Sequence, residues 1–336
     1  MSKIDVTGIS KTGMLETDGK IKENIPSRDY YRNEMLRKKR VRLLEILVLI
    51  VITLSPLLIN NYYFTWLFTL GAIYSIYTLS WSVMKNFGGR TSLGHTIPFG
   101  LAGYFSAIGY LVGGDVSTLP LIWILSGILS AIILYIPARK LDRVAFVFIT
   151  FIMGIIFWIA SSSFVLERDG VLYGGEEGFS IAVTSQNFVY FASIFLLAGI
   201  FAMLSFLRLS TTGLRMVAVR DDEKAARAVG IDVNRFKFYY CLISCLIASI
   251  AGGMYVLLFS HINPEIFSVH VAIFPFIATL FFRNESELGN VAGSFILVIV
   301  SNYLNAIVPQ LHLLLYAVLL ITSPKILRWR FSDAEG

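Results

Sequence analysis

The sequence predicts an all-α, polytopic integral membrane protein, a bundle of about ten transmembrane helices with both termini in the cytoplasm. Two observations carry this. Hydrophobic residues make up 56% of the 336-residue chain and charged residues only 15%, with a mean hydropathy of +0.71; an ordinary soluble domain carries about 25% charge. Apolar stretches of spanning length recur along it, and unbroken runs such as Leu43 to Leu58 lack the alternation of a barrel strand. Only a helix or a closed barrel satisfies every backbone N–H and C=O without water, so these runs read as helices.

In chain order the expected spans are 43–60, 64–84, 92–112, 119–137, 144–165, 188–207, 237–259, 271–282, 288–307 and 309–323. The eighth is short enough to be re-entrant, and Pro309 makes a soft break between the last two. Residues 1–35 are polar, mixed in charge and poor in large aliphatics, a composition expected to stay disordered as a cytoplasmic tail. No apolar core of a signal peptide precedes the first span, which reads as a retained anchor. Residues 36–336 then form the transmembrane domain, interrupted by a cytoplasmic loop at 208–236.

Basic loops stay in the cytoplasm. The cluster Arg37, Lys38, Lys39, Arg40 and Arg42 places the N-terminus inside, and alternation puts Arg139, Lys140 and Arg143 inside as well. Lys325, Arg328 and Arg330 do the same for the C-terminus. Of 28 Lys and Arg, only Arg168 then falls outside, whereas Glu167, Asp169, Glu176, Glu177 and Glu265 all face out. The net charge of +6 therefore reports topology and contact with anionic lipid rather than nucleic-acid binding.

Within the 208–236 loop the stretch RDDEKAARAVG reads as a short soluble helix. Asp221 is the expected N-cap, and Asp222 and Glu223 occupy the first turn, where the helix dipole favours negative charge. Glu223 and Arg227 form an i, i+4 pair. Gly230 is placed to end the helix in the left-handed conformation. Two turns are too short to persist alone, so docking must stabilise them. Asp222, Ala225, Ala226 and Val229 share a small, mildly apolar face suited to a cleft in another protein; packing on its own loops or lying in the lipid interface are the plainer alternatives.

Three blocks carry a resemblance. GLRMVAVRDDEKAARAVGID is similar to the cytoplasmic coupling loop of LivM-type permeases, the membrane subunits of ABC importers for branched-chain amino acids, with Arg220, Glu223, Ala225, Ala226, Gly230 and Ile231 matching. NFGGRTSLGHTIPFGLAGYFSAI resembles a second block of that family at Gly89, Ser92, Leu93, Gly94, His95, Phe99, Gly100 and Tyr104. GGEEGFS, with Gly174, Gly175 and Gly178, is similar to its outer Gly-rich loop. The chain departs from the family where FFRNESELGNVAGSF stands in place of a Gly-Gly-x-Gly-Thr stretch.

The resemblance implies a multi-pass subunit of the plasma membrane that pairs with a second, identical or homologous permease. It further implies cytoplasmic ATP-binding cassette subunits and an extracytoplasmic substrate-binding protein, with no cofactor and no catalysis in this chain. ATPase coupling would fall to Arg220, Asp221, Asp222, Glu223, Ala225, Ala226, Val229 and Gly230. Branched-chain amino acids lead the possible cargoes, followed by urea or short amides, then nucleosides or sugars.

The residues agree at several points. No Gly-x-x-x-x-Gly-Lys-[Ser/Thr] is present to cradle phosphates, so ATP must be bound by a partner. No acid lies at mid-depth in a span, where ion-coupled secondary transporters commonly bury one, and no HExxH or GxSxG motif marks an enzyme. Small residues from Ser92 to Ala107 permit close helix approach; Gly94 and Pro98 also suit a helix break beside a pathway, which makes Ser92, Gly94, His95 and Pro98 candidate pathway residues. Cys241 and Cys245 share a helix face without further ligands and read as packing residues.

Overall fold

The computed structural model describes residues 61–168, 170–181, 185–280 and 286–332, with side chains through residue 322. All lie in one unit of the chain, Thr53–Gly336. The expected tail, the basic cluster before residue 43, the first span at 43–60, Asp169 and the side chains of Lys325, Arg328 and Arg330 fall outside the described residues.

Helix α1, Tyr62–Gly88, opens where the Asn61 side chain accepts from the N–H of Tyr63 at 2.9 Å, satisfying one of the donors that a helix start leaves free. It is followed by α2 (Thr96–Leu111), a 3-10 turn, α3 (Leu119–Lys140) and α4 (Arg143–Ser163). The α4 start is capped by Asp142, whose carboxylate accepts from Ala145 N at 2.9 Å. Next come β1 (Val165–Arg168), β2 (Val171–Gly174), β3 (Phe179–Ser180) and α5 (Gln186–Leu209). Two short helices, α6 (Thr211–Asp221) and α7 (Glu223–Ala228), precede α8 (Val233–Phe259), β4 (His261–Ile262), α9 (Val269–Leu280), α10 (Glu287–Ile307) and α11 (Leu311–Ser332).

Helices α1 and α8 form the centre. Almost all of the apolar stretch of α1 is buried inside the protein, and α8 packs on α1, α2 and α3. Close approach depends on small residues of α8: Gly252 lies against the backbone of Phe99, and Gly253 against the indole of Trp123. Helices α5 and α10 pack on the remaining flanks of α1. The perimeter is apolar. Leu121, Leu125, Ile132 and Ile136 of α3, and Phe148, Ile152, Ile156 and Ile159 of α4, are exposed, as expected of surfaces whose solvent is hydrocarbon.

Each of the nine spans expected after residue 60 finds a helix, and these helices differ in length. Six described helices are long and apolar enough to cross a membrane: α1, α3, α4, α5, α8 and α10. The span expected at 92–112 begins as helix only at Thr96, which leaves 16 residues, while α9 has 12. The chain is also not purely helical. Strands β1 and β2 pair antiparallel with Val165 opposite Gly174, and β3 pairs with β4 through Phe179 and Ile262. Phe164, Val165 and Leu166 follow α4 as further apolar residues, so hydropathy alone carries the span into the first strand; β-branched residues around a Gly170 turn favour strands instead.

Candidate functional site

The 208–236 loop folds as two helices rather than one. Ser210 caps α6, its Oγ accepting from Gly213 N at 3.1 Å. The N-cap of α7 is Asp222, not Asp221 as expected: Asp222 is extended, and its carboxylate accepts from the N–H groups of Lys224 at 2.7 Å and Ala225 at 3.1 Å. Those bonds to Ala225 and Lys224 hold its carboxyl below the usual range. Asp221 instead ends α6, where its carboxylate takes the Nε–H of Arg220 at 2.8 Å. The cap moves one residue because the chain must turn extended between two helices, and only one residue does so. Past α7, Gly230 has φ of 82°, the left-handed stop that its position predicts.

One carboxylate ties α7 to the bundle. Lys237, in the second turn of α8, places Nζ at 2.7 and 2.8 Å from the two oxygens of Glu223. A guanidinium nitrogen of Arg90, just past α1, lies 3.4 Å from the same carboxylate. Both cations are buried, whereas Glu223 is 37% exposed. Arg90 also donates to the carbonyls of Leu141 at 2.8 Å and Asp142 at 3.4 Å, in the turn between α3 and α4, and stands over the ring of Phe146. Burial alone would raise the Glu223 pKa, but the hydrogen bond and charge of Lys237 and the charge of Arg90 outweigh it and hold the carboxyl below its ordinary value.

A second set of bonds secures the end of α6. Arg220 donates to the carbonyl of Asn86 at the end of α1 at 2.8 Å, and Arg143 of α4 donates to the carbonyl of Arg220 at 2.6 Å. The six residues of α7 are thereby fastened to the ends of α1, α4 and α8 and to the α3–α4 turn. Arg227 lies 4.0 Å from Glu223 and adds little, since the carboxylate is already committed to Lys237.

What α7 leaves open differs from the expected face. Ala226 is 3% exposed and turned into the protein on the same side as Glu223, whereas Val229 is 76% exposed. Asp222, Lys224, Ala225 and Ala228 are exposed beside it. The outward surface is therefore Asp222, Ala225, Ala228 and Val229; Ala226 supports it from behind. The ion pair decides this rotation, because Glu223 must point toward Lys237.

A family model described as "Branched-chain amino acid transport system / permease component" matches residues 63–324. The chain belongs to that family. It is an ABC permease, a multi-pass membrane subunit. Among solved structures, a chain of "PsaBC from Streptococcus pneumoniae in complex with Fab" aligns with a TM-score of 0.45 and 16% identity, over 82% of this chain and 95% of that one. No curated protein matches the sequence.

The permease packs the four candidate pathway residues inside its own bundle. Ser92 and His95 have no exposed surface. His95 Nε2 lies 2.7 Å from Ser244 Oγ, and that hydroxyl donates to Ser80 O at 2.7 Å, so the imidazole must supply the proton of the His95–Ser244 bond. Gly94 packs against Thr150. Pro98 falls in the first turn of α2, where its missing N–H costs nothing, so it begins a helix rather than bending one. Cys241 and Cys245 are free and fully buried.

On the far side from α7, Gly174, Gly175 and Gly178 all have positive φ and shape the turn between β2 and β3. A Cβ on Gly178 would strike the carbonyl of Ile262. Glycine there lets the β2–β3 turn lie directly on the chain beyond α8. Sequence reasoning did not single out Arg90 or Lys237; as basic residues at helix ends they read only as topology markers.

Proposed function

We propose that this permease works as one of two membrane subunits of an importer in the plasma membrane, and that α7 is the element its cytoplasmic ATPase subunits grip. The observation that carries the reading is the attachment of α7. A helix too short to hold itself is fixed by Glu223 to Lys237 and Arg90, while Ala225, Ala228 and Val229 are left uncovered. A force applied to that surface reaches the ends of α1, α4 and α8 through hydrogen bonds and ion pairs rather than through a loose loop. An external binding protein delivers the solute to the hairpin side, where Glu167, Glu176, Glu177 and Glu265 offer negative charge to a basic partner surface.

The resemblance to LivM-type permeases favours branched-chain amino acids as cargo, ahead of short amides and of nucleosides or sugars. The test is transport in vesicles. Chains reconstituted alone should accumulate no solute under an imposed proton or sodium gradient. Addition of the ATPase subunits, the binding protein and ATP on the ATPase side should start uptake that an uncoupler leaves unchanged. Gradient-driven accumulation by the isolated chain would refute the importer reading.

A further inference from the structure

Helices α3 and α8 pack antiparallel. Gly127 of α3 lies against Leu246 of α8, where a Cβ would stand 2.9 Å from that side chain, and nearer the α7 end the rings of Tyr135 and Phe238 meet edge to face with centroids 5.4 Å apart. Beside this seam each helix presents a row of side chains outward. On α3 the row is Arg139, Tyr135, Ile132 and Ile128; on α8 it is Arg235, Phe238 and Leu242. Steps of three and four residues keep each row on one helix face. Tyr135, Phe238 and Leu242 are half-buried, whereas Ile128, Ile132 and both arginines are exposed. The result is a groove with an apolar and aromatic lining and a guanidinium from each helix at its α7 end. From Ile128 to Arg139 it runs about 16 Å at 1.5 Å per residue, close to half of a hydrocarbon core of about 30 Å, which is one leaflet.

The two arginines differ from the cations around them. Arg90, Arg143, Arg220 and Lys237 are all committed to carboxylates or carbonyls. Among the described residues, no hydrogen bond or ion pair engages the side chain of Arg139 or Arg235. The acids nearest to them in sequence are spent as helix caps. Asp142 accepts from Ala145 N at 2.9 Å, and Asp232 from Asn234 N at 3.1 Å and Arg235 N at 3.2 Å. Two uncompensated guanidinium groups above an apolar trough of leaflet depth match a molecule with an anionic head and a hydrocarbon tail, and the planar guanidinium fork suits phosphate oxygens. A second copy of this chain is a poorer occupant, because a twofold contact here would set the arginines of both copies against one another.

We propose that the α3–α8 groove binds one anionic phospholipid, its phosphate held between Arg139 and Arg235 and an acyl chain lying on Ile128, Ile132, Tyr135, Phe238 and Leu242. This gives the general attraction between basic membrane edges and anionic lipid a single place on the protein. Lys140 supplies the contrast. It is exposed at the same depth but points about 100° round α3 from Arg139, at 3.6 residues per turn. A diffuse basic rim would use Lys140 as much as Arg139, whereas a site between α3 and α8 does not.

Native mass spectrometry of the full-length chain, titrated with dioleoylphosphatidylglycerol and dioleoylphosphatidylcholine, tests the proposal without ATPase or solute. The first phosphatidylglycerol should bind at least about fivefold more tightly than phosphatidylcholine. Arg139→Gln and Arg235→Gln should each weaken that binding about fivefold, the factor equivalent to roughly 1 kcal/mol per cation, with unchanged melting temperatures. Lys140→Gln should weaken it less than about twofold, and excess glycerol phosphate, which has no tail, should not displace the lipid. Equal binding of the two lipids, full binding in either arginine variant, an equal loss in Lys140→Gln, or displacement by glycerol phosphate would each overturn the site. Cross-linking of Ile132→Cys chains to each other by a short bis-maleimide, above the parent background, would place protein in the groove and overturn it as well.

Discussion

Lys237 reaches both carboxylate oxygens of Glu223, at 2.7 and 2.8 Å, and so joins the second turn of the central helix α8 to a six-residue helix on the protein surface. Among the described residues, Glu223 is the acid that pairs with both buried cations, Lys237 and Arg90. Removing its charge leaves two like charges facing each other.

Glu223→Gln should therefore destabilise the permease by about 2 kcal/mol. That is less than the roughly 3–5 kcal/mol for breaking a fully buried pair, because water reaches Glu223 and screens it. Thermal unfolding in detergent would measure the loss. An unchanged melting temperature would show that the pair contributes nothing.

The same carboxylate sets a pH dependence. Its folded pKa lies below the ordinary value, so its stabilisation is fully present above the unfolded pKa of about 4.3 and is lost as pH falls through the lower folded value. The melting temperature should owe nothing to Glu223 titration between pH 7 and 5, then decline below about 4.3. The decline should be shallower in Glu223→Gln. Asp222, also shifted down by its cap bonds, titrates in the same window, and Asp222→Asn separates the two contributions.

Ala226→Glu distinguishes the observed rotation of α7 from the one its sequence pattern implies. With Ala226 buried, a carboxylate there has no room and no partner other than the cations already held by Glu223. Melting should fall by several degrees and α7 should become protease-sensitive. A variant as stable as the parent would mean that Ala226 faces outward.

Gly230→Val probes the end of α7 by backbone strain alone. No atom lies within 4 Å of where its Cβ would be, so the cost is that of a β-branched residue at φ of 82°, about 1–2 kcal/mol. Gly230→Asn should recover most of it, since Asn tolerates that region. Equal melting of the Val and Asn variants would argue against the left-handed stop.

Much of the fold could be read from the chain because membrane helices need long apolar runs, and those runs survive in any context. Where reading failed, the cause was local ambiguity or distance. Ser92, Leu93 and Gly94 are small or apolar residues that a membrane helix tolerates, so the expected span takes them in although helix begins only at Thr96. Arg90 and Lys237 look like any basic residues near a membrane edge, and their shared acid is supplied by a different segment. The inward turn of Ala226 follows from that pairing and not from the helical period. Arg139 and Arg235 share a groove only because α3 and α8 pack antiparallel, which no spacing encodes.

The central claim is that the outward face of α7 passes force between ATPase and permease. Substrate-stimulated ATPase activity of the assembled importer, measured for Val229→Glu, tests it most directly. Val229 is 76% exposed and its side chain supports nothing in the permease, so the variant should insert, fold and melt like the parent. The account predicts that stimulation by loaded binding protein falls at least tenfold while insertion and melting temperature match the parent. Full stimulation in a complex that carries Val229→Glu in both membrane subunits would contradict it.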